Sequence, residues 1–421
     1  MKTKKTPNKY IIQLKDDSRS SLRKTEKDLS LKFTSSAELS STVRAQDVLS
    51  SGNGLFLKNL GLAIVEDYEI DKLRSLTNAS SNPIIYWEED RIFTPVVELD
   101  LINSMKAQIE DLTGALDQLE LLIKQNNKPI VENNFTWGLQ AIGMELSNYT
   151  GKGVDICILD TGFYAEHPDF KGRNITGKSF VPGEQWDLDM HGHGTHCAGT
   201  AAGFISKIDQ KRYGVAHEAN IAISKVLSDS GSGSTSAIVD AIDNSLEKGH
   251  KVISMSLGSP VRIGEQPSPI FEQVGKKALE HNSLVIAAAG NDSNRPTLPK
   301  PVSSPANAES IMAVAALDEA LKVARFSNGG INASNGGRID ISAPGVNVFS
   351  TSSKHAGAGN LYQTMNGTSM ATPHVAGLAA LYWEAFPQLS AEGIWLKLEK
   401  RAKQLTNQLL RDVGQGLAQT P

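Results

Sequence analysis

The segment "DMHGHGTHCAGT", residues 189 to 200, places His191, His193 and His196 in an H-x-H-x-x-H spacing with Cys197 alongside. Imidazole and thiolate are the ligands zinc prefers, so one chemistry this segment offers is a zinc hydrolase built on His191, His193 and His196. The other is general-base catalysis, in which one histidine moves a proton and the rest is scaffold. Nucleophilic acyl transfer by serine needs a base, a carboxylate to orient it, and hydrogen-bond donors for the oxyanion. Residues of each type occur elsewhere in the chain. Asp160 ends the apolar run "GVDICILD", Asn291 ends "LVIAAAGN", and Ser369 follows Gly367 and Thr368 where the apolar stretch "SMATPHVAGLAALYWEAF" begins. Singly, these three would serve as a helix cap, a turn residue and another cap. Pro373 within that stretch is expected in the first turn of its helix, where a missing N–H costs nothing.

The elements that would position these residues read as an α/β fold. From about residue 136, near-continuous apolar strands alternate with helices ("GVDICILD", "NIAISKVL", "KVISMSL", "LVIAAAGN", "SIMAVAAL"), the pattern of a doubly wound, mostly parallel sheet with helices on both faces. Ligands of such sheets bind beyond the carboxyl ends of the strands, where Asp160 and Asn291 stand. Residues 9 to 95 read strand, charged helix, Gly-bounded strands, helix, and one strand "NPIIYWEEDRIF", a small ferredoxin-like α+β unit. Between the two, Ile102, Met105, Ile109, Leu112, Leu116, Leu119 and Ile123 alternate spacings of three and four. This predicts one amphipathic helix over about 101 to 125, packed on its own protein. The expected division is 1–98, a linker at 99–135, and 136–421.

With 42 Lys and Arg against 46 Asp and Glu, the net charge of -4 gives no basis for a nucleic-acid partner. No apolar run approaches the ~18 residues of a membrane span. The N-terminal "YIIQL" is shorter than the ~7 to 15 residues of a signal-peptide core. Two cysteines, Cys157 and Cys197, supply no disulfide framework. Cytoplasmic residence is therefore expected, although a secreted chain trimmed of its signal would read the same.

Taken in order, "ILDTG", "HGHGTHCAGT", "SMSLGS", "AAAGN" and "NGTSMATPHVAG" resemble the subtilisin family of serine proteases, with the cysteine of "HGTHCAG" closest to its proteinase K-like branch. The resemblance covers roughly residues 136 to 421. It implies a serine endopeptidase in which Asp160 orients the base His193, Ser369 is the nucleophile, and the Asn291 side chain with the Ser369 N–H forms the oxyanion hole. It implies a protein or peptide substrate held as an added strand by Gly231, Ser232 and Gly233 on one side and Ser256, Leu257 and Gly258 on the other, with Ala289 and Gly290 also at the substrate site. It makes His196 a packed residue, and "HGHGTH" has Thr195 where an H-x-H-x-D-H zinc motif needs aspartate, which leaves a zinc hydrolase on His191, His193 and His196 as a remote alternative. No cofactor is implied beyond calcium, and the family's calcium loop, which reads like "NNSIG", is replaced here by "FISKIDQKRYG", leaving Asp169 as the one matching ligand. The N-terminal unit resembles the family's inhibitor-like propeptide, which implies a zymogen whose own propeptide acts as intramolecular inhibitor and is cut in the flanks at 95–101 or 125–135. Asp292, on the rim of the expected S1 pocket, permits a basic P1 residue. The competing reading is a silent homologue kept as a peptide-binding or regulatory module; the presence of all four catalytic positions argues against it.

Overall fold

The computed structural model describes residues 8–16, 18–39, 44–66, 70–77, 83–96, 134–334, 336–356 and 360–421. The helix expected over 101–125 and most of its flanks lie outside these residues. Among the described residues no helix is long and apolar enough to cross a membrane.

The N-terminal unit runs β1 (Lys9–Leu14), α1 (Arg19–Leu29), β2 (Phe33–Ser35), α2 (Ala45–Ser50), β3 (Gly54–Leu57), β4 (Leu62–Glu66), α3 (Ile70–Thr77) and β5 (Ile84–Glu89). Its strands form one sheet in the order β2-β3-β4-β1-β5. Alternation along the strands explains how both faces are covered. Tyr10, Ile12 and Leu14 point to a cluster with Leu29 of α1 and Leu73 of α3. Ile11, with Leu55, Leu57, Leu62 and Ile64, points the other way into a cluster shared with the rest of the chain. The short elements β2 and α2 carry too little periodicity to be read from sequence.

The larger unit continues with β6 (Ile92–Pro95), α4 (Trp137–Ala141), β7 (Asp155–Asp160), β8 (Ile175–Ser179), α5 (His193–Ala202), β9 (Asn220–Lys225), β10 (Gly233–Ser234) and α6 (Thr235–Glu247). After these come β11 (Val252–Met255), β12 (Leu257–Gly258), α7 (Pro269–Glu280), β13 (Leu284–Ala288), β14 (Met312–Leu317), β15 (Ile341–Pro344), β16 (Val348–Thr351), β17 (Tyr362–Met365), α8 (Thr368–Ala385), α9 (Ala391–Arg401) and α10 (Leu410–Val413). Seven strands form a parallel sheet in the order β15-β14-β13-β11-β7-β9-β8. Residues of β7 divide between two cores. Ile156 and Ile158 pack with Ala198 of α5 and Val375 of α8, whereas Cys157 and Leu159 pack with Ile242 of α6 and Val274 of α7. Helix α8 is buried almost throughout, which explains why its sequence is apolar all round rather than striped. Strand order reverses at β7, so Asp160 at its carboxyl end sits at the topological switch point.

The strand expected over "NPIIYWEEDRIF" breaks in two at Asp90 and Arg91. Ser236, at the N-terminus of α6, donates its N–H to Asp90 at 2.8 Å and its hydroxyl to the same carboxylate. Ser268, the N-cap of α7, donates to Glu88 at 2.9 Å. Two carboxylates of the N-terminal unit thus sit at the positive ends of two helices of the larger one. Beyond this clamp β6 leaves the first sheet and enters a three-stranded sheet in the order β10-β6-β12.

Candidate active site

Each chemical side chain is delivered by an element whose local sequence explains its position. Asp160 ends β7. His193 opens α5, whose start is fixed by fully buried Asp189: its carboxylate accepts the N–H groups of Gly192 at 2.8 Å and Thr195 at 2.9 Å and the Thr161 hydroxyl at 2.9 Å. This anchor was not singled out from sequence, although an acidic residue just before a helix is the usual capping signal. His193 Nδ1 lies 2.7 Å from Asp160 Oδ1, both side chains fully buried. A carboxylate only accepts, so Nδ1 carries the proton and Nε2 is left as the base.

Ser369 is the second residue of α8 and is buried. Its hydroxyl donates to the Ser256 carbonyl at 2.9 Å, and among the described residues it makes no hydrogen bond to His193. The Asn291 side chain is held from behind: its Oδ1 accepts the N–H and the hydroxyl of Thr368 at 3.0 and 2.9 Å. Thr368 in turn accepts the Gly290 N–H at 3.1 Å. The role of Thr368 in aiming the amide has no sequence signal beyond its place beside Ser369.

The cleft is filled by the chain's own β6. Phe93 pairs with Gly233 and Ile92 with Ser234 on one side, while Pro95 pairs with Leu257 and Thr94 with Gly258 on the other, both antiparallel. Phe93 is fully buried, edge-on to Phe271 of α7 with ring centroids 5.5 Å apart. The next residue, Val96, donates its N–H to the Ser256 carbonyl at 3.3 Å and receives the Asn291 Nδ2–H on its own carbonyl at 2.7 Å. Among the described residues the Ser369 N–H makes no hydrogen bond to that carbonyl. Such donors are aimed at the displaced oxyanion rather than at the ground-state oxygen.

On the first side the pairing strand starts at Gly233, later than the sequence placed it. Gly231 has φ +80°, which a strand does not accommodate; a Cβ there would meet His191 at 3.0 Å and Pro95 at 3.4 Å, so Gly231 lets the two approach. Ser232 precedes the strand and donates its N–H to Ser228. On the second side Ser256, Leu257 and Gly258 all touch the tail. Ala289 and Gly290 lie buried behind Asn291, and a Cβ on Gly290 would strike Asn328 and Ser303. The Val96 side chain lies beside Gly258 and Ser303, at the edge of a 340 Å³ cavity that Asp292 also lines. The Asp292 carboxylate accepts from Asn328 at 3.0 Å and Ser303 at 3.3 Å, and stays exposed.

The zinc reading is overturned by where the rings point. His196 Nε2 lies between the carbonyls of Val348 at 3.0 Å and Gln363 at 3.1 Å, and burial pushes its pKa down to about 3, so it is a neutral packed donor. The His191 ring is edge-on to His193 at 6.1 Å between centroids. Among the described residues, the ligating atoms that do converge, within 4.8 Å, are those of Asp160, His193 and Cys197. The first two bind each other, and burial raises the Cys197 thiol far above its usual range, so it is neither thiolate nor nucleophile.

Asp169 does not fit a calcium site. Its Oδ1 accepts the Tyr362 hydroxyl at 2.8 Å and its Oδ2 accepts those of Tyr213 at 2.8 Å and Tyr362 at 2.9 Å. Tyr362 also accepts the Lys207 N–H at 2.8 Å, which pins the "FISKIDQKRYG" loop. Calcium takes about six to eight oxygen ligands, and here both carboxylate oxygens face phenol donors.

Comparison with known proteins agrees with this geometry. The chain is 39% identical over 267 residues to Subtilisin DY of Bacillus licheniformis, covering 63% of this chain and 90% of that one. It is 41% identical over 272 residues to Subtilisin Savinase of Lederbergia lenta, covering 64% and 91%. Among solved structures it is similar to Sphericase, with a TM-score of 0.58 and 32% identity over 69% of this chain and 100% of that one. Residues 151–416 match the profile described as Subtilase family, and a chain with Ser369, His193, Asp160 and Asn291 so disposed on that fold belongs to it, as a serine endopeptidase.

Proposed function

We propose that the full chain is an inhibited precursor and that the first bond it cuts is its own, between Val96 and Val97. The observation that carries this reading is the double engagement of Val96, N–H on Ser256 and carbonyl on Asn291, in the position a substrate's reacting residue would take. For cleavage, the Ser369 hydroxyl turns from the Ser256 carbonyl to His193 Nε2, loses its proton there and attacks the Val96 carbonyl carbon. Asn291 stabilises the oxyanion, and Asp160 stabilises the imidazolium. His193 then protonates the departing amine, and water hydrolyses the acyl-enzyme by the reverse sequence. The residues N-terminal to the cut stay in place through Phe93, the strand pairs and the two clamped carboxylates, so the released unit continues as an inhibitor until it dissociates. Intact mass and N-terminal sequencing of the purified protein test this. A new N-terminus of Val97-Glu98-Leu99, absent from Ser369→Ala, is expected. A cut confined to 125–135 with the 96–97 bond intact, or an unchanged cut in Ser369→Ala, would refute it.

We further infer that the Tyr213–Asp169–Tyr362 cluster takes the place of a cation in holding the loop. Burial and the adjacent carboxylate raise both phenols, Tyr362 to about 12, which keeps them protonated as donors.

A further inference from the structure

Pro373 lies in the second turn of α8, not in the first turn where the sequence placed it. A proline inside a helix removes the N–H that would bond to the carbonyl four residues earlier. Here that carbonyl belongs to Ser369, the nucleophile. A buried carbonyl left without a donor is costly, and the structure supplies donors from outside the helix. The Ser256 hydroxyl reaches the Ser369 carbonyl at 2.8 Å, and the weakly donating Cys197 Sγ stands at 3.6 Å. Ser256 lies between β11 and β12, and its own carbonyl accepts both the Ser369 hydroxyl at 2.9 Å and the Val96 N–H at 3.3 Å. One residue is therefore bonded to the nucleophile through side chain and main chain at once, and through main chain to the residue whose bond is cut.

We propose that Ser256 is a positioning residue: its hydroxyl replaces the helical hydrogen bond that Pro373 deletes and fixes the backbone of Ser369 relative to the substrate strand. The main-chain contact to the substrate is independent of the Ser256 side chain, so the hydroxyl acts on the placement of the nucleophile and not on substrate affinity. The same reasoning makes Pro373 and Ser256 an energetically coupled pair, although neither touches the other's role in sequence. An alanine at 373 would return an N–H to the Ser369 carbonyl and make the Ser256 hydroxyl dispensable.

The test is a double-mutant cycle on the self-processed enzyme, with kcat and KM measured on a chromogenic peptide and rates normalised to sites titrated by a fluorophosphonate. Ser256→Ala is expected to lower kcat about 5- to 150-fold, the factor corresponding to the ~1 to 3 kcal/mol of an unmade buried hydrogen bond, with KM within about twofold. Pro373→Ala should stay within about threefold of the parent, and Ser256→Ala/Pro373→Ala should return to within about fivefold of Pro373→Ala, because a neighbouring pair couples. Thermal unfolding of the four fluorophosphonate-blocked proteins is read in parallel. The proposal is overturned by a Ser256→Ala enzyme with unchanged kcat, by a loss seen in KM alone, or by the same loss in the Pro373→Ala background. Coupling that appears in melting temperature and leaves kcat untouched overturns it as well, since a merely structural role would give that result.

Discussion

Phe93→Ala probes what keeps the precursor shut. The Phe93 side chain is fully buried between the two units and stacks edge-on to Phe271 at 5.5 Å. Burying such a ring is worth about 1.5 to 3 kcal/mol, and an aromatic pair adds about 0.5 to 1.5 kcal/mol. Alanine keeps some of the apolar contact and water refills the vacated cleft, so a net loss of about 3 kcal/mol is the working figure. That is roughly two decades in the dissociation constant of the cleaved N-terminal unit. The strand pairs of β6 and the clamps at Asp90 and Glu88 are untouched by this change. The assay is a progress curve for hydrolysis of a chromogenic peptide after dilution of freshly processed enzyme. The parent should show a lag that shortens on dilution. In Phe93→Ala the lag should vanish at concentrations about 100-fold higher than those at which it vanishes in the parent, following the same affinity arithmetic. Melting temperatures of both sequences in the Ser369→Ala background separate lost docking from a damaged fold. An unchanged lag in Phe93→Ala, with the fold intact, would refute the reading of Phe93 as an anchor of the tail.

Three further outcomes follow from the site and its surroundings. Calcium binding measured by titration calorimetry should be the same for Ser369→Ala and Ser369→Ala/Asp169→Asn, and chelator should leave the melting temperature of the first unchanged at that site; loss of one bound calcium in the Asp169 variant would contradict the tyrosine clamp. Tyr213→Phe/Tyr362→Phe should lower the melting temperature equally with and without chelator. The Asp240 carboxylate of α6 makes no hydrogen bond among the described residues and lines the cavity between the two units, and burial pushes its pKa up to about 6 against the pull of Lys178. Because the ionised form is disfavoured in the folded chain, its contribution to stability is complete below the ordinary value of 3.8 and is lost as pH rises through about 6. Ser369→Ala should therefore melt higher at about pH 5 than at about pH 7.5, and Asp240→Asn should flatten that slope; equal slopes in the two proteins would refute it.

The sequence by itself determined the reaction and the scaffold. Five short motifs in order carry the acid, base, nucleophile and oxyanion donor, and continuous apolar strands between helices specify a parallel sheet whose carboxyl ends gather them. These are local patterns, set by the period of an element or by residues within a few positions of each other. What only the tertiary structure decided depends on contacts that leave no local trace. The Asn291 bond to Val96 spans 195 residues, and the Ser256 bond to Ser369 spans 113. "NPIIYWEEDRIF" reads as one strand because nothing within it marks the break; the break comes from the N-termini of α6 and α7, which capture Asp90 and Glu88. Asp169 matches a calcium ligand in sequence, and the tyrosines that donate to its carboxylate come from position 213 and from β17. Pro373 is a mid-helix proline whose cost is offset by a hydroxyl from the residue between β11 and β12, because a buried carbonyl needs a donor but does not specify from where along the chain it must come.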